Sequence, residues 1–194
     1  MSRHVYERDQ EIDLPIAEVF DFFSSASNLE RLTPADLRFR FLDDPPDVLE
    51  VGTRIRYRLR INGVPVTWVT RITRWDAPNS FADVQEKGPY SSWEHTHSFT
   101  AIDAERTRMH DHIEYEVPLG PLGDLANRVF VAGQLRKIFN YREQAFAVVV
   151  RGGAAPETWF APASGWTAPR AGAAAVAGLA GVALVARLLR RRGD

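Results

Sequence analysis

Between Pro121 and Val150 lies the only long run of this chain whose apolar residues recur at helical spacing, and the residues before it read mostly as strands. A chain of this kind has one long helix with which to cover one sheet, and few architectures satisfy that. Leu125, Val129, Ala132, Leu135, Ile138, Phe139, Phe146 and Val149 draw an apolar stripe, with Arg128, Arg136, Lys137, Asn140 and Glu143 on the other sides. Pro121 after Gly120 suits a helix start, because proline's fixed φ fits the first turn and its missing N–H has no partner to lose there. Gly152 and Gly153 end the run. A helix of about thirty residues at roughly 1.5 Å each spans about 45 Å, enough to lie across a whole sheet.

The strands are read from alternation. His4 to Asp13 suits an edge strand, and Pro15 then opens a short helix with Ile16, Val19, Phe20 and Phe23 on one face. Ser27 and Glu30 have capping-box spacing for a second short helix, which Thr33-Pro34 stops. Leu37 to Leu42 reads as a strand, and Arg54 to Ile61 alternates strictly between arginine and Ile55, Tyr57, Leu59 and Ile61. Asn62-Gly63 predicts a tight hairpin into Val64 to Trp75, since a type I′ turn needs two positive φ angles. Ser80 to Glu86, Ser92 to Ala101 and Thr107 to Val117 complete the series. The expectation is an α+β domain: two short helices after strand 1, and a seven-stranded curved antiparallel sheet wrapped around the long C-terminal helix.

Polar residues stand on faces that should point inward. Trp93, His95, His97 and Phe99 share one face of the sixth strand, and Met109, Asp111, Ile113 and Tyr115 share one of the seventh. A hairpin closed at Asp103 to Glu105 sets His97 opposite Asp111, within reach of a hydrogen bond, and a slip of two residues offers His95 instead. Phe81, Asp83 and Gln85 share a face of the fifth strand. Burying such groups is costly unless they are paired or hydrated. The pattern therefore predicts a cavity lined by Trp68, Trp93, Phe99, Met109 and Tyr115, with Asp83, Gln85, His95, His97 and Asp111 as polar anchors. Leu135, Ile138, Phe139 and Arg142 would face it from the helix, and Arg142 has Asp83 and Asp111 as candidate partners. The alternative is a satisfied structural His–Asp pair beneath the helix.

A His–Asp pair in a cavity is also a candidate general base and its orienter, His97 with Asp111. The set His95, His97 and Asp111 has the ligand types of a two-histidine, one-carboxylate metal site, but no pattern of supporting groups accompanies it and no metal is expected. No Gly-x-Ser-x-Gly elbow and no dinucleotide or phosphate loop occurs, so no cofactor is expected either. The chain has no cysteine, which removes disulfides, thiolate metal sites and thiol nucleophiles. Five arginines among residues 170–194 face only Asp194; removing them from totals of 24 basic and 25 acidic leaves 19 against 24 over residues 1–169, a net charge of −5. A body that acidic does not suit nucleic acid.

The stretches Phe81-Ala82-Asp83-Val84-Gln85, Gly88-Pro89-Tyr90 with Trp93 to Phe99, Asp111 to Pro118, and Ile138-Phe139-Asn140-Tyr141-Arg142, in this order of elements, resemble the SRPBCC superfamily. This is the helix-grip fold of START lipid-transfer domains, birch-pollen-type allergens and polyketide cyclases. Within it these stretches look like the bacterial branch labelled cyclase/dehydrase or "cell division inhibitor", and the resemblance covers about residues 3–150. The resemblance implies a small hydrophobic or amphipathic ligand held under the long helix, in a carrier or sensor role, or alternatively a cyclase or dehydratase activity at the His–Asp pair. It does not choose between them, since one fold hosts many functions.

The chain thus divides into a domain at 1–150, a Gly/Ala/Pro-rich linker at 151–170 and an apolar helical tail at 171–194 that ends in arginines. Ala171 to Ala186 carries no charge, and Trp166 and Arg190 to Arg192 flank it like interfacial anchors. With no secretory signal at the N-terminus, the expected location is cytoplasmic, with residues 171–192 in contact with the inner face of the membrane. Nothing in the sequence specifies an oligomeric state.

Overall fold

The computed structural model describes residues 2–153. It contains strands β1 (Arg3–Ile12), β2 (Arg40–Phe41), β3 (Arg54–Ile61), β4 (Val64–Asp76), β5 (Ser80–Lys87), β6 (Ser92–Ala101) and β7 (Thr107–Glu116). Helices α1 (Ile16–Phe23) and α2 (Asn28–Arg31) follow β1; α3 (Pro121–Ala126), a π-turn (Asn127–Val131) and α4 (Ala132–Val149) form the long C-terminal helix. The strands make one antiparallel sheet in the order β1-β7-β6-β5-β4-β3-β2. This is the α+β arrangement that the strand and helix pattern predicts, and the helix-grip fold that the resemblance implies.

The hairpin signals act as expected. Asn62 and Gly63 both take positive φ, 51° and 82°, and set Ile61 opposite Val64. β4 departs from strict alternation because its register against β5 shifts between Ile72 and Arg74. The extra residue hands the inner face from Trp68, Thr70 and Ile72 to Trp75, and such bulges bend a sheet.

Three local expectations are corrected. The strand foreseen at Leu37–Leu42 shrinks to Arg40–Phe41, because Ala35–Leu37 form a 3-10 turn that ends at Arg38 in the left-handed region, φ 46°. Ser27 makes no capping hydrogen bond; its own backbone is already helical and its hydroxyl pairs with Ser25. In the long helix Leu125 and Val129 are exposed, whereas Gly123, Asn127 and Val131 are buried, because the π-turn resets the helical phase.

The interior falls into three clusters. Ile12, Val19, Phe20, Phe99, Met109 and Phe146 pack where α1 and the end of α4 meet β6 and β7. Ile113, Tyr115, Val117, Val131, Leu135 and Phe139 pack further along β7 under the start of α4. Each fully buried side chain of this size contributes roughly 1.5–3 kcal/mol. Ile55, Tyr57, Leu59, Trp68 and Ile72 form the third, aromatic cluster on β3 and β4. Asp111 lies on β7 between Met109 of the first cluster and Ile113 of the second, so its carboxylate enters the interior where neither cluster fills it.

Candidate functional site

A cavity of about 190 Å³ lies between β3–β6, the α1–α2 segment and α4. Trp68, Tyr57, Tyr90 and Trp93 build its aromatic side: Tyr57 and Trp68 are stacked, and Trp93 meets Trp68 edge-on. Leu135, Ile138, Phe139 and Arg142 cover it from α4. Thr70, Asp83, His95 and His97 make the polar end.

The sheet register builds that polar end. Asp83 on β5 stands opposite His95 on β6, and His97 stands opposite Asp111 on β7. Contacts then run diagonally as well. His95 Nε2 lies 2.9 Å from Asp111 Oδ1 in hydrogen-bond geometry. His97 Nδ1 lies 2.8 Å from the same oxygen but off the hydrogen-bonding direction, so it remains a buried polar atom without a partner. His97 Nε2 is 3.9 Å from Asp83 Oδ2. The two imidazoles sit 3.8 Å apart, and His97 also stacks on Phe81 at 4.2 Å.

Burial decides the charges. It pushes His95 down to about 4, with neighbouring His97 adding to the effect, and it pushes His97 down as well. Asp83 is pushed up to about 6 by its enclosure, against the pull of His95 and Arg142. Enclosure would also raise Asp111, but the two imidazoles outweigh it and hold that carboxyl well below the usual carboxylate range. At neutral pH the site therefore holds neutral imidazoles around one firmly ionised carboxylate, with a second carboxylate that protonates easily.

Arg142 is the remaining charged group. Its guanidinium carbon stands 5.1 Å above the Phe139 ring, and it forms no salt bridge within 4.0 Å among the described residues. The pairing with Asp83 or Asp111 suggested by sequence is thus not made: Asp111 lies behind the histidines, and Arg142 projects over the cavity instead.

Of the residues singled out by sequence, Trp68, Asp83, Trp93, His95, His97, Leu135, Phe139 and Arg142 line the cavity. Phe99 and Met109 do not; α1 packs over them, and they belong to the core. Tyr115 is turned away to donate from its hydroxyl to Asn127 Oδ1 at 2.8 Å. Gln85 is drawn into the β5–β6 turn, donating to the Tyr90 carbonyl at 2.8 Å and accepting from the Tyr90 N–H at 3.3 Å. Gly88 makes room for that amide, since a Cβ there would sit 2.1 Å from Gln85 Oε1. Asp111 supports the imidazoles from outside the cavity wall.

Sequence reasoning missed Tyr57, Thr70, Tyr90 and Gln134 as lining residues. Alternation in β3 already placed Tyr57 inward, so that signal was present. Tyr90 sits in a turn and Gln134 on a polar stretch of helix, where no periodicity marks them.

A sheet gripping a long helix over a cavity with a polar end defines a ligand-cavity protein of the helix-grip class. The match of residues 3–151 to the family described as "Polyketide cyclase / dehydrase and lipid transport" is more specific, and the chain belongs to that family. Solved structures agree on the fold. A START superfamily protein from Mycobacterium smegmatis aligns with TM-score 0.55 and 13% identity, over 72% of this chain and 93% of that one. Norcoclaurine synthase from Thalictrum flavum aligns with TM-score 0.57 and 14% identity, over 77% and 87%. The Zhui aromatase/cyclase from a Streptomyces species aligns with TM-score 0.57 and 15% identity, over 79% and 100%. Comparison with curated proteins returns no match.

Among the described residues no helix is long and apolar enough to cross a membrane. The tail at 171–194 and most of the linker lie outside the described residues.

Proposed function

We propose that the protein binds one small amphipathic molecule in this cavity, as a carrier or sensor. One observation carries the reading: an aromatic-walled space ends in Asp83, His95, His97 and Arg142, and the guanidinium has no carboxylate within salt-bridge distance among the described residues. A polar head that is anionic or a strong acceptor satisfies Arg142, and an apolar body fills the space beside Trp68 and Tyr57. At about 190 Å³ the cavity suits a compact body of one aromatic ring or a fused pair, since a smaller apolar cavity of roughly 150 Å³ holds benzene.

Native mass spectrometry of the purified protein and titration with a fluorescent naphthoate test this. The expected result is uptake of one molecule, abolished by Leu135→Trp, which fills the space, and weakened about tenfold by Arg142→Leu. Repeated recovery with nothing bound, together with no uptake of naphthoate or short fatty acids, refutes it.

A cyclase or dehydratase reading has support in the geometry: Asp111 lies beside two imidazoles, and among the described residues His97 Nε2 makes no hydrogen bond while its ring lines the cavity. Burial depresses His97, and a depressed imidazole is a weak base at neutral pH, so the carrier reading is preferred. A turnover that survives His97→Gln removes the catalytic reading. Association of the 171–192 segment with the membrane is a separate proposal, resting on its uncharged run and flanking arginines. Equal solubility of the full chain and a chain ending at Gly165 refutes it.

A further inference from the structure

Each carboxylate of the polar end stands opposite one histidine and diagonal to the other, across three neighbouring strands. We propose that Asp83, His95 and His97 bind one divalent transition-metal ion of the zinc class, with Asp111 as the carboxylate that orients both imidazole ligands. The three residues each offer a ligand atom within 4.8 Å of the other two. Tetrahedral bonds of about 2.0 Å need donors roughly 3.3 Å apart, so binding draws the three ligand atoms together by about 1.5 Å or less.

Four further features fit this assignment. Asp111 approaches one nitrogen of each imidazole, the arrangement by which an outer carboxylate fixes ring orientation and raises the basicity of metal-bound histidines. The other nitrogens, His95 Nδ1 and His97 Nε2, make no hydrogen bond among the described residues, and His97 Nε2 lies 3.9 Å from Asp83 Oδ2. The Asp83 carboxylate is 13% exposed and receives no hydrogen bond among the described residues, an unfavourable state for a carboxylate that a cation relieves. Two carboxylates with two neutral imidazoles balance a divalent charge, and two imidazole donors select the zinc class over magnesium or calcium.

Among the described residues, Arg142 is the one group facing the cavity that opposes a cation, from its place over Phe139. The sequence reading drew its ligand set with Asp111 in place of Asp83. With Asp111 as the outer carboxylate, the supporting group that was lacking is present. The set leaves open coordination towards the cavity, where the head group of a bound molecule sits. Metal binding does not depend on the ligand proposal, and each fails on its own measurement.

The full-length protein, stripped with EDTA, is titrated with Zn²⁺ against a chromophoric chelator. One tight equivalent is expected, with Co²⁺ giving intense visible bands of a low-coordinate nitrogen and oxygen site. Asp83→Asn and His97→Gln each weaken Zn²⁺ binding by about 100-fold or more, and Asp111→Asn by about 10–100-fold. The double variant His110→Ala/His112→Ala, which removes the exposed cluster with Glu7, leaves this equivalent unchanged. Circular dichroism confirms folding, and the near-isosteric Asp83→Asn decides if His97→Gln does not fold. No tight Zn²⁺ equivalent in the folded wild type overturns the proposal. So does affinity that survives Asp83→Asn, or that falls only in the His110/His112 variant. Naphthoate uptake by the stripped protein, measured in parallel, reports on the cavity alone.

Discussion

His95 and His97 on one face of the β6–β7 hairpin, and His110 and His112 on the other, are the same side chains at the same spacing, each beside carboxylates. The inner pair is depressed by burial and its ionised partner is Asp111; the outer His112 is raised by Glu7, 2.9 Å away, and by Glu114. His110 meets Asp9 at 3.0 Å in the same exposed row. Partner identity is nearly constant between the two sets, so access to water sets the sign. The inner contacts are consequently high-stakes, because a polar group left unpaired there has no solvent to turn to, whereas the outer row gains little from each pair.

The largest contrast is expected on truncating one carboxylate from each set. Asp111→Ala leaves the buried His95 without its acceptor and removes the carboxylate beside His97, and should cost about 3 kcal/mol or more, while Glu7→Ala should cost less than about 1 kcal/mol. Urea unfolding at pH 7 measures both, and equal losses would erase the distinction.

The next contrast is in pH dependence. Unfolded His95 takes up a proton near pH 6.5 and the folded residue only near 4, so the unfolded chain binds more protons in that window and stability falls as pH drops through it. Asp83 acts in the opposite sense: folded, it holds a proton up to about 6, and unfolded only to 3.8, so stability rises as pH drops through the same range. The two offset each other. Asp83→Asn removes the offset, and its stability relative to wild type should decline steadily from pH 7 to about 4.5. A flat difference would show that the Asp83 carboxyl is not raised in the folded protein. The outer His112, with its raised value, adds a smaller stability below its ordinary value that fades as pH rises through the folded one.

The smallest effect is spectroscopic. Imidazole resonances of His112 should titrate above 6.5, while those of His95 stay in the neutral form down to about 4. Coincident midpoints would place both pairs in similar surroundings.

Much of this was legible in the chain itself. Strict alternation in β3, the Asn62-Gly63 turn and the His97–Asp111 register all follow from the period of a strand and the length of a turn. The site is less legible where diagonal contacts decide. Opposition selects His97 for Asp111, yet the well-formed hydrogen bond comes from His95, because side-chain reach across a twisted sheet exceeds strict cross-strand pairing. Phe99, Met109 and Tyr115 share the inner face with the histidines, and alternation alone does not say which inner residues are packed under α1 or tied to Asn127. Gln85 is set by a turn, whose hydrogen bonds have no period.

Asn127 also fixes how the long helix is indexed on the sheet. From Asn127 to Leu135, both buried, is eight residues; at about 100° each, a straight α-helix would leave them roughly 80° apart. The π-turn absorbs that difference like a shim one residue thick. An uninterrupted helix would instead bring Arg128 round under the Tyr115 hydroxyl, and a chain shorter by one residue within 127–131 would keep Asn127 in place without any wide turn. Numbering counted back from the cavity residues of α4 is therefore offset by one before position 127, and the inner face of α3 in this chain is found from the Tyr115–Asn127 bond rather than from helical period.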